Sequence, residues 1–554
     1  MEELPVLVVG AGPVGLALAV ILEHHGVRCR IVDRADTPAG LSKAAAIQSR
    51  TLEILDELRL AGPILDVGTR ITASEIRSRD DVVAAFGAGG IAMESRYPFL
   101  LGIAQSDTET LLTHRLAERG IAVERGIELG ECRQDERGVT ALLRSPDGST
   151  EVVRSRWLAG CDGATSRVRD ALRFPVDEAE GSTRYAIADC ALVDVPTDIA
   201  TLAVRGDRGV LVHPIAADRY RLAIDCGPTV AVGRPAPPLA EDLQRMCDAH
   251  LVTPLGVGVV LWSTYYAVGR RAATRWRARR VFLLGDAARV HSPITFHGMN
   301  AGIQDAWNLG WKVALAERGL ATEVLLDSYD VERRDAQDRL VRASERADGV
   351  GSLRAGADVD ELTRGFLSSL PGFERHAARR TARLDFGYRS SPAVDGYRAP
   401  GLHTEGPPVA AFGPGDLAPD APFTTDAGVR VSDGRSYVSL QFTGDQPTDG
   451  QHTIADIPLP GRLPIRSVIV TRVPGVRSVR SGTSVVTDSG GGIHQAWGVT
   501  RPTHVLVRPD GHVGWRSEPP DLAAVNRFLA RLHGPAAPDR FPESGAARRE
   551  RLAG

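Results

Sequence analysis

The sequence predicts an α/β protein built on a Rossmann-like dinucleotide-binding domain, with an antiparallel sheet inserted into it. Three features carry this prediction: a glycine-rich turn near the N-terminus, further nucleotide-domain elements near residue 285, and alternating apolar and polar residues between them. At 554 residues the chain exceeds what one hydrophobic core supports, so two or three domains are expected.

The N-terminal segment has the pattern of a βαβ unit. Residues 7–9 form an apolar run typical of a buried strand, residues 16–22 an apolar helix, and residues 30–32 a second strand. Gly10, Gly12 and Gly15 stand between the first strand and the helix. This spacing allows a tight turn, close approach of a pyrophosphate to the backbone, and close helix–strand packing. The helix N-terminus then directs free N–H groups at the phosphates.

Asp33 ends the second strand, where an acid is expected to bind a ribose hydroxyl. A plain glycine-rich turn is the alternative, but strand, helix and acid agree on a dinucleotide site. A second glycine run, residues 87–90, is followed by no amphipathic helix and is interpreted as a loop. One dinucleotide fold is therefore expected, so a nicotinamide would bind transiently or share the cleft.

The middle and the end of the chain have different patterns. Residues 70–100 and 184–270 alternate as in an antiparallel sheet, whereas residues 280–286 and a helix over 302–318 return to nucleotide-domain character. A linker rich in Pro, Gly and Asp is expected from about residue 400. Beyond it, Asp510 and Gly511 separate two apolar runs, which predicts a hairpin.

Composition narrows the class of protein. The net charge of −3 gives no attraction to nucleic acid or to an anionic membrane, and no apolar run approaches the ~18 residues of a membrane span. The six cysteines are widely spaced and include no C-x-x-C pair, and no grouping has metal-ligand spacing. We expect a cytoplasmic protein without disulfides or metal, as a monomer or homodimer, that binds neither nucleic acid nor membrane.

Three motifs together resemble the class A flavoprotein monooxygenases, the p-hydroxybenzoate and phenol hydroxylase family. They are the glycine fingerprint, the Cys161-Asp162-Gly163 turn, and the stretch from Gly285-Asp286 to Trp311-Lys312. The segment 325–334 also resembles the signature of this family. The C-terminal segment 508–516 resembles a subgroup that hydroxylates polyketides and rifamycins. That subgroup ends in a thioredoxin-like domain, which here would have no thiol redox activity.

The resemblance implies FAD as cofactor and NADPH or NADH as transient reductant. It implies that Asp286 binds the ribityl hydroxyls, that the backbone at Met299 and Asn300 faces the flavin, and that Pro293 lies where oxygen reacts. Helix capping and turn chemistry are the alternatives for Asp286 and Asp162. The candidate cofactor-binding residues are Gly10, Gly12, Pro13, Val14, Gly15, Asp33, Arg34, Lys43, Gln105, Asp162, Asp286, Pro293, Gly298, Met299 and Asn300.

The implied organisation is discontinuous. The FAD-binding domain takes residues 1–70, 100–183 and 271–399, the substrate-binding sheet residues 71–99 and 184–270, and the thioredoxin-like domain residues 400–554. Pocket candidates on the sheet are Tyr220, His213 and Trp262. The segment 50–53, Arg-Thr-Leu-Glu, also fits the family, but a salt bridge between Arg50 and Glu53 accounts for it equally well. Arg333 and Arg334 are expected on a solvated helix face.

The chain departs from the family at two places. Ala45 replaces an arginine that contacts cofactor phosphate, although Lys43 could substitute as a point charge. Residues 294–297, Ile-Thr-Phe-His, replace two glycines and a glutamine, and Phe296 could close the space that oxygen chemistry needs. His297 is interpreted as a general acid, as a flavin tether or, preferably, as a hydrogen-bonding loop residue. No catalytic residue is assigned; the candidates are Pro293, Phe296, His297 and Tyr220.

Two functions remain open from the sequence. The first is an FAD-dependent monooxygenase, a hydroxylase that acts on a bulky aromatic or polyketide natural-product intermediate; a Baeyer–Villiger variant is possible on the same scaffold. The second is a cyclase that retains FAD as a structural part and catalyses a [4+2] cycloaddition by holding a near-attack conformer. The two departures motivate the second function.

Overall fold

A computed structural model of the chain describes most of its residues. The described residues are 4–38, 44–78, 81–87, 95–205, 208–228, 235–251, 255–290, 297–350, 387–397, 412–419, 430–444, 453–454, 462–478 and 482–534. The architecture is mixed α/β, with one mainly parallel sheet, one mainly antiparallel sheet and a C-terminal mixed sheet. This confirms the predicted fold class.

The first sheet belongs to the nucleotide domain and has eight strands. Its main path runs β17-β18-β11-β1-β2-β8, and β9 and β10 continue it from β11. Strand β1 pairs in parallel with both β2 and β11, which explains its continuous apolar run. The strands are β1 (Leu4–Val9), β2 (Cys29–Asp33), β8 (Val123–Arg125), β9 (Glu128–Gln134), β10 (Val139–Arg144), β11 (Thr150–Gly160), β17 (Arg277–Ala278) and β18 (Val281–Leu283).

Helices cover this sheet, and a single core joins them to its strands. The helices of this domain by sequence position are α1 (Pro13–His24), α2 (Ser49–Glu57), α3 (Ala61–Val67), α4 (Gln105–Glu118), α5 (Arg167–Ala171), α7 (His297–Glu317) and α8 (Glu323–Val350). The helix α6 (Ala240–His250) belongs to the inserted part. A small sheet accompanies the helices of the nucleotide domain: β3 (Ala46–Ile47), β4 (Thr69–Ile71) and β7 (Leu100–Gly102).

The inserted sheet has seven strands in the order β16-β12-β15-β14-β13-β5-β6, all antiparallel except for the pair β13–β5. Its long strands β12 and β16 pair with each other in antiparallel fashion, and one end of this pair leads back to the nucleotide domain. The strands are β5 (Ala73–Ser78), β6 (Asp81–Gly87), β12 (Val176–Val193), β13 (Ile199–Arg205), β14 (Arg208–Ala216), β15 (Arg219–Pro228) and β16 (Gly256–Ala273).

The C-terminal part forms a six-stranded mixed sheet in the order β19-β26-β25-β20-β22-β24. The predicted hairpin is confirmed as β25–β26. The strands are β19 (Asp395–Gly396), β20 (Tyr437–Phe442), β22 (Ile465–Thr471), β24 (Ser484–Thr487), β25 (Thr503–Val507) and β26 (Val513–Ser517), beside a separate pair β21 (Thr453–Ile454) and β23 (Arg477–Ser478). The thioredoxin-like assignment of this part and the exact domain limits stay predictions.

Two helices accompany the C-terminal sheet, α9 (Gly492–Ala496) and α10 (Leu522–His533). Asp521 caps α10, since its carboxylate accepts a hydrogen bond from the Ala524 N–H at 2.8 Å. The apolar stripe of α10, which includes Val525 and Phe528, packs with Trp311 of α7 and Leu325 of α8. The C-terminal sheet is thus docked on the nucleotide domain through a shared core.

Within the helices that the structure describes, none combines the length and the apolar character that crossing a bilayer requires. The predicted linker near residue 400 falls at 398–411, which lies outside the described residues.

Candidate functional site

The glycine-rich turn has the geometry that its spacing predicts. Gly10 has φ +101°, and a Cβ there would lie 2.4 Å from the Cys161 carbonyl oxygen. At Gly15 a Cβ would lie 1.9 Å from the Gly10 carbonyl oxygen, so the helix packs directly on the turn. Gly12 differs, because a Cβ would meet no atom within 4 Å. Gly12 is the N-cap of α1 and Pro13 its first residue, so the open space lies at a helix N-terminus.

Asp33 closes this space on the side of the second strand. Its carboxylate accepts hydrogen bonds from the Ala11 N–H at 2.6 Å and the Ala35 N–H at 2.8 Å. Arg125 at the end of β8 lies 3.8 Å from the same carboxylate, a neighbour that no sequence signal identified. Arg34 is exposed beside it and donates to the Thr165 hydroxyl at 3.1 Å.

Asp286 lies in a 3-10 turn, Gly285–Ala287, directly after β18. Strands β1, β11 and β18 are parallel, so their carboxyl ends share one edge of the sheet. Contact between the two sites is direct, since a Cβ on Gly285 would lie 2.9 Å from the Val14 side chain. The Asp286 turn and the glycine-rich turn therefore lie side by side at this edge, and the space along them is called here the groove.

The N-terminus of α7 forms the third wall of this groove. A Cβ on Gly302 would lie 2.4 Å from the Val14 side chain and 3.3 Å from the Gly285 Cα. The Asn300 side chain is buried and accepts a hydrogen bond from the Gln48 N–H while donating to the Ala46 carbonyl, each at 2.9 Å. Asn300 thus fixes the start of α7 against β3.

Of the remaining candidates at this helix, His297 and Gly298 begin α7 half-buried and Met299 is buried. Pro293 and Phe296 lie outside the described residues, so the structure places neither of them. Lys43 also lies outside the described residues.

Gln105 begins α4 and holds the neighbouring segment. Its side-chain oxygen accepts from the Ala44 N–H at 3.1 Å, and its amide donates to Glu109 at 2.8 Å. Glu109 is buried, which raises the pKa of its carboxyl group. Gln105 therefore positions the chain that leads from Ala44 into β3.

Asp162 has a structural role in the turn. Its carboxylate accepts hydrogen bonds from the Ser166 hydroxyl at 2.5 Å and from the Arg167 N–H at 2.6 Å. Burial raises the pKa of this carboxyl group, although these bonds oppose the shift. Asp162 thereby organises the start of α5, which is the turn chemistry named as the alternative.

Ala45, the first departure from the family, is fully buried between Ala104 and Ile215. The position contacts the end of β14 and so joins the nucleotide domain to the inserted sheet. The second departure, residues 294–297, is described only at His297.

The inserted sheet turns one face toward the groove. Tyr266 lies on this face, because it packs with Ile187, Leu211 and Ala223, away from the core under α6. Burial, and secondarily the negative charge of Asp286, raises the pKa of Tyr266. Across the strands, Tyr266 is paired with Tyr185, and Trp262 with Asp189. At its other end this face reaches Gly102, where a Cβ would lie 3.4 Å from the His213 ring.

A buried ion pair lies within this face. The Arg221 Nε donates to Asp189 at 2.5 Å, the Trp262 indole N–H donates to the same carboxylate at 2.8 Å, and the guanidinium carbon lies 5.1 Å from the centroid of the Trp262 ring. His213 donates its Nδ1–H to the Pro214 carbonyl at 2.8 Å, and burial lowers its pKa to about 4. Its ring is therefore neutral near pH 7.

Tyr220 is on the opposite face. It is buried in the core under α6 together with Leu243 and Cys247, and its hydroxyl donates to the Val195 carbonyl at 2.9 Å. The pairing of β14 with β15 brings Tyr220 opposite Pro214 and puts Arg221, one residue later, on the groove side. We therefore leave Tyr220 out of the proposed substrate surface.

Three arginines named from the sequence have different surroundings. Arg50 pairs with Glu53 at 2.9 Å, the salt bridge named above, and also donates to the Asp510 carbonyl at 2.6 Å. The prediction of a solvated Arg333 is wrong, because its side chain is 3% exposed and donates to Asp305 at 2.7 Å. Arg334 is 41% exposed, in agreement with the prediction.

Comparison with known proteins supports a flavin site. Residues 3–344 match the FAD binding domain family. The chain is 31% identical to 6-methylpretetramide 4-monooxygenase of Streptomyces rimosus, over 95% of this chain and 93% of that protein. It is 28% identical to a Streptomyces rimosus 12-dehydrotetracycline 5-monooxygenase/anhydrotetracycline 6-monooxygenase, over 93% of this chain and 95% of that protein.

A solved structure has the same fold. The flavin-dependent monooxygenase PieE, in complex with FAD and substrate, superimposes with a TM-score of 0.71 at 24% identity. The superposition covers 96% of this chain and 98% of that chain, so the C-terminal part is included.

Proposed function

This chain belongs to the FAD binding domain family, and from that premise we propose that it is a flavin-dependent monooxygenase that hydroxylates a bulky aromatic polyketide intermediate. The observation that carries the proposal is the single groove bordered by the Gly12 turn, the Asp286 turn and the N-terminus of α7. Relatives that match over nearly the whole chain are named as monooxygenases of tetracycline-type compounds.

The residues of the groove fit FAD. The open space at Gly12 admits a pyrophosphate, and the Val14 and Gly15 N–H groups, which a helix start leaves without an intrahelical acceptor, face it. Asp33 would accept bonds from a ribose hydroxyl and Asp286 from ribityl hydroxyls. The N-terminus of α7 would place positive potential beside the ring system.

When bound, FAD supplies the redox chemistry, taking electrons from a nicotinamide and activating oxygen. The chain itself orients the reactants and keeps water out. Asn300 holds the helix N-terminus in place. We propose that the sheet face formed by Ile187, Leu211 and Ala223 covers the groove. We propose NADPH or NADH as the reductant, binding transiently because the described residues contain one dinucleotide fold.

The substrate is proposed to lie between the flavin and this sheet face. Tyr185, Trp262 and Tyr266 are half-buried there and offer aromatic surface with polar edges to a ring system. Because burial raises the pKa of Tyr266, its hydroxyl stays protonated near pH 7 and can donate a hydrogen bond.

The cyclase alternative is not favoured, because the relatives reported above are named as monooxygenases. We propose further that the protein works in the cytoplasm as a monomer or homodimer, without nucleic acid.

Rapid-mixing spectroscopy tests the proposal. The purified holoenzyme is mixed anaerobically with NADPH or NADH, with and without an aromatic polyketide, and flavin absorbance is followed. We expect reduction that the substrate accelerates, and then incorporation of one atom of 18O2 into the product. Flavin that neither nucleotide reduces under any of these conditions would refute the monooxygenase. Product that forms in air-free solution without reductant would identify a cyclase instead.

A further inference from the structure

The C-terminal part contacts the nucleotide domain through the turn of residues 508–512, called here the docking turn. Arg508 is fully buried and binds Glu332 of α8 with two hydrogen bonds, at 2.6 and 2.9 Å. Lys312 of α7 donates to the same carboxylate at 2.7 Å. Burial opposes the charge of Glu332, but Arg508 and Lys312 prevail and lower its pKa to about 2. The docking turn is therefore held to α7 and α8 by buried, desolvated ion pairs.

Tyr388 lies between the docking turn and α8. Its ring stacks on His512 with centroids 4.1 Å apart, and the Arg508 guanidinium carbon lies 5.4 Å from the same ring. Its hydroxyl accepts a hydrogen bond from Arg333 at 2.9 Å. Tyr388 thus connects the C-terminal part to a buried cation on α8.

Arg333 carries the contact onward to the groove. It donates to Asp305 at 2.7 Å and to the Ala301 carbonyl in the first turns of α7 at 3.1 Å. Asp305 in turn accepts from the Gly285 N–H at 3.1 Å, and Gly285 precedes Asp286. A planar guanidinium holds its acceptors at fixed angles, so moving one of them disturbs the others.

We propose that the docking turn is a positioning element for the flavin, acting through Tyr388, Arg333 and Asp305 on the Asp286 turn and the start of α7. The proposal rests on the flavin site described under the proposed function. The C-terminal part would then support flavin binding, a role that does not depend on redox-active cysteines. Arg333 and Asp305 are positioning residues, because they act through hydrogen bonds to other protein groups.

The central test is Tyr388→Phe, which keeps the stacked ring and removes the acceptor of Arg333. We expect the dissociation constant of FAD to rise roughly three- to thirtyfold, the range of couplings measured between distant sites. The visible spectrum and the midpoint potential of the bound flavin should shift with it.

Tyr437→Phe is the matched control. Tyr437 is equally buried at the same domain contact, packs edge-on against Trp311, and its hydroxyl bonds His533 at 3.0 Å. It lies outside the connection from His512 to Gly285. It should lower the melting temperature as Tyr388→Phe does, yet leave FAD affinity and potential unchanged. Equal flavin effects in both variants would mean general loosening and would overturn the proposal.

Asp305→Asn supplies a second, independent test, since it keeps an acceptor for the Gly285 N–H and removes the charge that holds Arg333. If the connection is continuous, Tyr388→Phe added to Asp305→Asn weakens FAD binding less than it does alone. Strict additivity, or a Tyr388→Phe protein with wild-type FAD affinity and potential, contradicts the proposal. Wild-type protein is titrated first, because a chain that takes up no FAD would refute the flavin site itself.

Discussion

At the scale of single residues, the three glycines of the glycine-rich turn have different structural roles. Gly10 and Gly15 are required by the fold, because a Cβ at either would strike a backbone carbonyl. The fold does not require Gly12, since its surroundings are open, and we propose that the bound cofactor requires it. The motif in the sequence does not separate these roles; the neighbours of each Cα do.

Gly12→Ala should therefore separate binding from stability. The backbone at Gly12, with φ −76°, suits alanine, so the melting temperature of the apoprotein should change by no more than a few degrees. The new methyl group occupies the space of the pyrophosphate, and we expect the FAD dissociation constant to rise at least ~10-fold, or ~1.4 kcal/mol. Fluorescence titration with FAD and thermal melts measure the two quantities.

Gly10→Ala is the comparison variant for this experiment. It meets the Cys161 carbonyl at 2.4 Å with φ +101°, so it should fail to fold or melt far below the wild type. An alanine at Gly12 that binds FAD as tightly as wild type would show that the cofactor does not pass this turn.

At the scale of elements, the alternation of β-strands decides which side chains can meet a substrate. Adjacent residues of β16 point to opposite faces, so Tyr265 packs with the core under α6 while Tyr266 shares the groove face with Ile187 and Leu211. Both tyrosines are half-buried and would look equivalent in the sequence.

Tyr266→Leu should raise KM for an aromatic substrate several-fold, because it removes an aromatic surface and a hydroxyl donor from the groove face. Tyr265→Leu makes the same chemical change on the other face and should leave KM unchanged while costing stability. Steady-state kinetics with melting curves distinguish them. Identical KM effects from the two variants would place the substrate elsewhere.

The start of α7 yields a second prediction at this scale. Asn300→Ala removes two buried hydrogen bonds to the β3 segment and leaves the Gln48 N–H and the Ala46 carbonyl without that partner. We expect a loss of roughly 1–3 kcal/mol in stability for each group left unsatisfied. FAD affinity should fall as well, because the helix N-terminus is no longer fixed. Denaturant unfolding of the apoprotein and the holoprotein measures both effects. A variant with unchanged stability of the holoprotein would show that Asn300 does not fix the start of α7.

At the scale of the whole molecule, buried histidines tie stability to pH. Burial lowers the pKa of His213, His504 and His533 to about 4 and that of His25 to about 3, against 6.5 when unfolded. A lowered pKa in the folded state means that the unfolded chain binds more protons. The associated stability is complete above pH 6.5 and is lost as the pH falls toward 4.

The melting temperature should accordingly fall steeply between pH 6.5 and pH 4. His504→Gln removes one titrating group, while its amide can still bond the Ser439 hydroxyl that His504 contacts at 3.0 Å. The pH dependence should shrink by ~1.4 kcal/mol per pH unit, the linkage of one proton. Calorimetry across this range measures the slope; a slope equal to that of wild type would mean that His504 is charged in the folded state.

What the sequence by itself determined is local. The strand–turn–helix at Gly10 to Gly15, the acid at Asp33 and the hairpin at Gly511 follow from neighbours within a few residues, where backbone preferences act. Even the alternating strands of the inserted sheet were visible in this way. The sequence alone therefore assigns the motifs of the flavin site to particular strands, turns and helices.

Only the tertiary structure decided which side chains meet. Arg333 was expected in solvent, yet its side chain is buried. Tyr220 lies on the sheet face away from the groove, and the carboxylate of Asp162 accepts hydrogen bonds within its own turn. Arg508 and Glu332 are 176 residues apart in the chain. Burial and pairing of a charge depend on such distant partners, whose approach local patterning does not encode, because it is the packing of whole elements that brings them together.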